Sequence, residues 1–137
     1  MHKRGTPKEM QKKLNPRANM VKEFDKFIEK RLKILDKMKF NLKKVWFDPG
    51  IGFGKTLNQN LQLMRSLSKY SHKNLQILLG SSRKSWINFI DPSNADQRIG
   101  GSLASITHAL QQNVNTFRIH DVQETNQMIK VLKVLNK

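Results

Sequence analysis

Three short apolar segments, each followed at once by a polar or glycine-rich cluster, constrain the fold of this chain more than any other feature. The segments lie at residues 42–47, 75–79 and 116–119. Between and around them, apolar residues recur at the three- and four-residue spacing of amphipathic helices. The order is helix, strand, helix, strand, helix, strand, helix. This alternation predicts a parallel sheet whose strands are joined by crossover helices.

Four helices are predicted from the apolar spacing. They cover residues 19–39, residues 58–70, a stretch that Gly100 and Gly101 introduce and that ends near Leu110, and residues 122–135. The first is the clearest, since it places five apolar residues on one helical face: Val21, Phe24, Ile28, Leu32 and Leu35. Ser102 is the predicted N-cap of the third helix, because a serine hydroxyl can accept a hydrogen bond from the first helical turn.

The composition limits the class of protein. The chain has 137 residues, enough for one domain, and carries 26 Lys+Arg against 10 Asp+Glu, a net charge of +16. It has no cysteine, which excludes disulfides and thiolate sites and favours a cytoplasmic location. The longest apolar runs are three residues, such as Val45 to Phe47, so no membrane helix is expected.

The positive charge indicates an anionic partner but does not choose one. Phosphate-bearing small molecules and nucleic acid are the two candidate partners. A third interpretation is that the charge forms lysine-rich faces that contact only solvent. Lysine outnumbers arginine by 19 to 7. Base recognition favours arginine, because its guanidinium makes two parallel hydrogen bonds to a base edge. A basic nucleic-acid-binding module is therefore the less favoured alternative.

Polar side chains follow each predicted strand. Asp48 comes after the first, Arg83, Lys84 and Ser85 after the second, and Arg118 with His120 after the third. In parallel α/β folds the carboxyl ends of the strands meet at one edge of the sheet, where binding and catalytic residues lie. The pattern therefore favours an enzyme.

The glycine-rich segment 50–56 has two interpretations besides a plain turn. It ends in Lys55 and Thr56 like a nucleotide P-loop, but three residues rather than four separate the glycines before the lysine. The second interpretation is a binding site for a flat ring. The ring would pack against Phe53 and donate hydrogen bonds from its amino and ring N–H groups to Asp48, whose carboxylate offers two adjacent acceptors. This second interpretation is preferred.

Five ordered motifs resemble the carboxyl-terminal half of the dihydropteroate synthase family of pterin-binding enzymes. They are MHKRGTP at residues 1–7, FDPGIGFGKT at 47–56, GSSRKS at 80–85, GGSLA at 100–104 and FRIHDV at 117–122. The resemblance covers the whole chain, residues 1–137, as a partial pterin-binding domain. It implies half of a (β/α)8 barrel with about three parallel strands alternating with helices.

The resemblance also implies an activity and a set of site residues. The family joins 6-hydroxymethyl-7,8-dihydropterin diphosphate to p-aminobenzoate, giving dihydropteroate and diphosphate for folate synthesis. By the motif match, Asp48, Phe53, Lys84 and Arg118 would bind the pterin, Arg118 and His120 the diphosphate, and Ser85 the p-aminobenzoate. Lys84, Arg118 and His120 would be the catalytic residues.

The length is the main departure from the family, because a barrel of this type needs about 250 residues. By this resemblance the first four strands and most or all of the fifth are absent from the 137 residues, and with them the expected ligand for Mg²⁺. No metal ligand is expected in the part present. The partners expected are the two substrates and either a complementing amino-terminal half or further copies of this chain. A non-catalytic truncated remnant of the enzyme is the alternative function that these motifs leave open.

Overall fold

The computed structural model describes residues 1–6, 8–10, 12, 14–71 and 75–136. Within these residues the α-helices are α1 (Met20–Lys37), α2 (Leu57–Arg65), α3 (Ser68–Ser71), α4 (Ser85–Asn88), α5 (Ile99–Leu110) and α6 (Val122–Leu135). The strands are β1 (Trp46–Phe47), β2 (Gln76–Leu79) and β3 (Thr116–Phe117). Leu42–Lys44 and Ala95–Gln97 form short 3-10 turns.

The sheet has β2 at its centre, parallel to β1 on one side and to β3 on the other. Trp46 lies opposite Gln76, and Leu78 lies opposite Thr116. Neighbouring parallel strands need a long crossover, and the helices between them supply it. The predicted parallel sheet with crossover helices is therefore confirmed.

The two faces of the sheet differ in burial. Phe47, Ile77 and Leu79 are buried on the face that packs against the helices. On the opposite face Trp46 is 45% exposed, and its indole N–H donates to the Thr116 hydroxyl at 3.1 Å. The core therefore lies between sheet and helices, and the other face is open.

Helix α1 covers the core as its apolar spacing predicts. The Asn19 side chain accepts a hydrogen bond from the Lys22 N–H at 3.0 Å and so caps the helix. Met20, Phe24 and Ile28 form the buried stripe. In the described part of the chain, no helix is long and apolar enough to cross a membrane.

Two of the predicted strands are shorter than expected. Residues 42–44 are not part of the first strand, because the Asn41 side chain accepts from the Lys43 N–H at 3.0 Å and caps a 3-10 turn there. The third strand ends at Phe117 instead of residue 119. Only two residues of each edge strand therefore pair with β2.

Two helix predictions are corrected as well. The helix expected over 58–70 is broken after Arg65, where the Ser66 hydroxyl donates to the Gln62 carbonyl at 2.8 Å. Ser102 is not an N-cap, because α5 begins at Ile99. Its hydroxyl donates instead to the Arg98 carbonyl at 2.7 Å, one turn back.

Candidate active site at the carboxyl ends of the strands

The glycine loop, residues 49–55, follows β1 and is held by Lys55. Lys55 is 3% exposed, and its ammonium donates to three carbonyl oxygens, those of His2 at 3.0 Å, Gly50 at 2.8 Å and Phe53 at 3.1 Å. Burial lowers the pKa of Lys55 to about 8. Because the backbone takes all three ammonium hydrogens, this geometry argues against the nucleotide P-loop alternative.

The first residues of the chain pack against the glycine loop. The His2 N–H donates to the Asp48 carbonyl at 2.8 Å. Gly50 and Gly54 have φ angles of 66° and 68°, and a Cβ on either would lie 2.0 Å from the His2 carbonyl oxygen or 2.4 Å from that of Arg4. The loop therefore needs glycine at both positions, because any side chain would collide with this segment.

His2 is a buried titratable group beside the loop. Its ring centroid lies 5.9 Å from that of Phe24 and 5.5 Å from that of Phe27. Nδ1 has no hydrogen-bond partner among the described residues. Burial, followed by the positive charges of Lys55 and Arg4, lowers the pKa of His2 from 6.5 to about 4. His2 is therefore neutral at pH 7.

We expect acid to destabilise the chain through His2. The unfolded chain, with a histidine pKa of about 6.5, binds more protons than the folded chain between pH 6.5 and pH 4, so stability falls as the pH falls through this window. Between pH 6.5 and pH 4.5 the loss from His2 is about 2 kcal/mol. In urea unfolding, the free energy of unfolding of His2→Phe should fall by about 2 kcal/mol less than that of the parent between pH 6.5 and pH 4.5. An equal loss in both proteins would contradict the assignment.

Asp48 directly follows β1 and is half-buried. Its Oδ1 accepts from the Gly50 N–H at 2.7 Å, so one carboxylate oxygen fixes the start of the glycine loop. The structure gives Oδ2 no hydrogen-bond partner within the described part of the chain. Asp48 therefore combines a turn-capping oxygen with a second oxygen that is left as an acceptor.

Lys84 lies over the ring of Phe53. Its Nζ is 4.4 Å from the ring centroid and donates to the Ile51 carbonyl at 2.5 Å. Burial lowers the pKa of Lys84 to about 8; the charge of Asp48 opposes this shift and that of Arg118 adds to it. The predicted pterin-binding residues from all three strand ends thus lie close enough to interact electrostatically.

Arg118 extends from the end of β3 across the end of β2. Its backbone N–H donates to the Leu79 carbonyl at 2.9 Å, and a Cβ on Gly80 would lie 3.0 Å from Nη2 of its guanidinium. Within the residues described, no carboxylate forms an ion pair with Arg118. An exposed guanidinium with no internal acid is suited to an external anion.

His120 is anchored by Ser82, which is 3% exposed. Nδ1 of His120 lies 3.1 Å from the Ser82 hydroxyl. Arg118 and His120 do not alternate along one strand, because β3 ends at Phe117. The backbone leaves the ladder there and is held by contacts with the loop after β2.

Asp121 pairs with Arg83. Neither Arg118 nor His120 forms an ion pair with this acid in the described part of the chain. Nε of Arg83 donates to Oδ2 at 3.0 Å, and a second guanidinium N–H donates to Oδ1. These hydrogen bonds hold the pKa of Asp121 below its usual range.

Ser85, the predicted p-aminobenzoate residue, is exposed and begins α4, directly after Lys84. The Phe89 N–H donates to the Ser85 carbonyl, four residues back, at 3.2 Å, as in an α-helix. Four residues are too few for helical spacing to be visible in a sequence. Ser85 thus directly follows Lys84, and its contact with p-aminobenzoate stays a prediction.

The structural roles of three buried polar residues of this region were missed by sequence reasoning: Lys55, Ser82 and Asp121. Ser82 and Asp121 each lie next to a residue of the predicted polar clusters, and Lys55 was considered only as a P-loop lysine. The available signal was that buried backbone groups of a loop need hydrogen-bond partners, which polar side chains nearby can supply. These residues build the loops that carry the predicted site.

Comparison with known proteins identifies the family. The family model described as "Pterin binding enzyme" matches residues 1–120. The chain belongs to this pterin-binding enzyme family. One relative, the dihydropteroate synthase of Escherichia coli K12, is 34% identical over 134 residues, which are 97% of this chain and 47% of that protein.

Solved structures of dihydropteroate synthases share the fold. The Yersinia pestis dihydropteroate synthase, in a sulfonamide drug complex, has a TM-score of 0.90 and 31% identity over 98% of this chain and 49% of its own. The Thermus thermophilus enzyme in complex with 6HMPPP has a TM-score of 0.83 and 30% identity, covering 96% of this chain and 52% of its own. The same enzyme in complex with 4-aminobenzoate has a TM-score of 0.84 and 30% identity, covering 96% of this chain and 53% of its own.

The chain spans about half the length of the dihydropteroate synthases it matches. This coverage, with three parallel strands and their helices, confirms the predicted half of a (β/α)8 barrel. No three His, Asp or Glu side chains gather into a metal site in the part of the chain that the structure describes. The expectation that a Mg²⁺ ligand lies in the other half of the barrel stays a prediction.

Proposed function

We propose that this chain supplies the carboxyl-terminal half of a dihydropteroate synthase, which joins 6-hydroxymethyl-7,8-dihydropterin diphosphate to p-aminobenzoate. One observation carries the proposal. The ends of three parallel strands bring the Asp48 carboxylate, the Lys84 ammonium and the Arg118 guanidinium within electrostatic reach of one another at one edge of the sheet. The names of the relatives, and the two ligands seen in the Thermus enzyme, support the same activity.

Asp48 and Lys84 are proposed to bind the two polar edges of the pterin. Oδ2 of Asp48 would accept hydrogen bonds from the amino and ring N–H groups, while Oδ1 keeps its bond to the Gly50 N–H. Lys84 would donate to the oxo group and a ring nitrogen. Phe53, already in contact with Lys84, would line the pocket beside the flat ring.

Arg118 and His120 are proposed to hold the diphosphate. In the reaction the amine lone pair of p-aminobenzoate attacks the pterin methylene carbon, the carbon–oxygen bond breaks, and diphosphate leaves with the electron pair. The guanidinium fork and the imidazole would stabilise the charge that grows on the leaving oxygen. No protein nucleophile is needed, and the proton of the amine passes to solvent.

Ser85 is proposed to contact p-aminobenzoate. Its hydroxyl is exposed at the start of α4, and Lys84, the preceding residue, would bind the pterin. A hydroxyl there can donate to a substrate carboxylate. The two substrates would then meet at neighbouring residues of one loop.

Magnesium enters this proposal only with the diphosphate, whose negative charge it would neutralise when bound. The described residues of this chain do not assemble a ligand set for the ion. Its protein ligand would come from the amino-terminal half. We assign no step of the reaction in this chain to the metal.

The amino-terminal half of the same barrel is the proposed partner of this chain. The sheet face carrying the 45% exposed Trp46 is the side that would face the barrel interior, and both β1 and β3 are two-residue edge strands. An open sheet edge and an exposed apolar face both favour association. A second copy of the chain would cover the same face less well, because it lacks the remaining strands.

Fusing the amino-terminal half of the E. coli enzyme to this chain tests the function. We expect the chimera to form dihydropteroate from the two substrates, and neither half alone to do so. The product is measured by chromatography with labelled p-aminobenzoate. A chimera that melts cooperatively but makes no product would favour the non-catalytic alternative and contradict the proposal.

A further inference from the structure

We propose that the ion pair between Arg83 and Asp121 is a positioning device that fixes Lys84 relative to His120. The inference rests on the proposed function, since it concerns how that site is aligned. Lys84 directly follows Arg83, and His120 directly precedes Asp121. The pair therefore joins the loop after β2 to the loop after β3, one residue away from each site residue.

Arg83 is fixed at its backbone as well as its side chain. Its φ is 55°, in the left-handed region that residues with a Cβ seldom adopt. Its N–H donates to the Ser102 hydroxyl at 2.9 Å, and its carbonyl accepts from Nη1 of Arg98 at 3.0 Å. Contacts on the backbone and side chain together hold Arg83 in this conformation, and so set the direction in which Lys84 leaves the loop.

Asp121 is fixed from the other side. Its side chain is 6% exposed, and its carbonyl accepts from the Thr125 N–H at 3.0 Å in the first turn of α6. The carboxylate takes two hydrogen bonds from one guanidinium, a geometry that a single-point contact cannot reproduce. Movement of Asp121 would carry His120 with it.

The contact between Ser82 and His120 lies directly beside the ion pair and joins the same two loops. Ser82 precedes Arg83 and contacts His120, which precedes Asp121. Two successive residues of one loop thus contact two successive residues of the other. Since Ser82 is 3% exposed, the contact cannot slide without disturbing buried atoms. The pair is the charged and two-pronged member of this junction, so it defines the alignment.

A second ion pair in the chain provides a matched control. Lys69 of α3 donates to Oδ2 of Asp25 of α1 at 2.5 Å, and both side chains are partly exposed. This pair joins two helices and contacts none of Asp48, Lys84 or Arg118. Asp121→Asn and Asp25→Asn therefore make the same chemical change at a positioning pair and at a purely structural one.

The test compares steady-state kinetics of the chimera with each variant. We expect Asp121→Asn to lower kcat at least tenfold while KM for the pterin diphosphate changes less than threefold, because alignment matters most in the transition state. Asp25→Asn should leave kcat within twofold even where both variants lower Tm. Arg83→Lys keeps the charge but loses the two-pronged guanidinium contact, and its kcat should fall as far as that of Asp121→Asn. It replaces Asp121→Asn in the test if that variant does not fold.

Equal kcat values in the Asp121→Asn and Asp25→Asn chimeras would overturn the proposal. If the parent chimera has no turnover, the proposed function fails, and nuclear magnetic resonance of the labelled 137-residue chain decides the inference separately. Asp121→Asn should then speed exchange of the Arg83 amide at least tenfold and shift the His120 ring signals, and Asp25→Asn should do neither. Unchanged Arg83 exchange and His120 signals would overturn it.

Discussion

Lys55→Met is expected to lower the free energy of unfolding of this chain by about 2 kcal/mol or more. The variant leaves the carbonyl oxygens of His2 and Phe53 without their donor, while the Gly50 carbonyl keeps its hydrogen bond from the Phe53 N–H at 3.1 Å. Each unsatisfied buried group costs about 1 to 3 kcal/mol. Loss of the charged group offsets part of this, because a buried ammonium carries a desolvation penalty. The glycine loop should therefore loosen.

Urea unfolding and amide exchange of the loop measure the effect. Lys130→Met is the matched control, since Lys130 is exposed on α6 and its replacement should change stability by less than about 0.5 kcal/mol. Amides of residues 50–54 should exchange faster in Lys55→Met and at the parent rate in Lys130→Met. Equal stability of the two variants would show that Lys55 does not hold the loop.

The order of elements was predictable from the sequence because each strand is a short apolar segment followed by a loop with distinctive residues. The residues at which the helices and strands begin and end were less predictable. The spacing of α1 gave its buried face, but nothing in residues 42–44 indicates that Asn41 caps a turn there. A capping contact depends on one side-chain geometry, which the apolar pattern does not carry.

The candidate site was predictable to the extent that parallel strands end at one edge. That rule places Asp48, Lys84 and Arg118 near one another whatever the details of the loops. In the structure, Lys84 lies close enough to both Asp48 and Arg118 to interact with them electrostatically. The rule says nothing of which atoms remain available, and the Asp48 oxygens show this, since one is used by the Gly50 N–H.

The supporting contacts were not predictable because their partners are far apart in the chain. Arg83 reaches Asp121 across 38 residues, and Lys55 reaches the His2 carbonyl across 53. The left-handed conformation of Arg83 is likewise imposed by its surroundings, since a sequence pattern would place glycine there. Tertiary contacts, and not local preference, decide these positions.

Asp48→Asn is expected to weaken pterin binding at least tenfold. The asparagine amide oxygen can still accept from the Gly50 N–H, so the turn keeps its 2.7 Å hydrogen bond. Its NH₂ group replaces Oδ2 and points a donor at the donors of the pterin ring. An unpaired buried donor costs about 1 to 3 kcal/mol, and about 1.4 kcal/mol is a tenfold loss of affinity.

Because asparagine preserves the turn, this variant separates ligand binding by Asp48 from its capping role. If Asp48 only caps the glycine loop, the variant should bind ligands and unfold like the parent. If Asp48 also binds the pterin, stability should change little while pterin affinity falls. Inorganic diphosphate is the control ligand, since its proposed contacts are with Arg118 and His120.

Calorimetric titration of the parent and Asp48→Asn chimeras with 6-hydroxymethylpterin and with diphosphate tests the central claim, that these strand ends form a pterin site, most directly. We expect Asp48→Asn to raise the pterin Kd at least tenfold and to leave the diphosphate Kd within about twofold, a change of about 0.4 kcal/mol. An unchanged pterin Kd in a chimera that still binds diphosphate would contradict the claim.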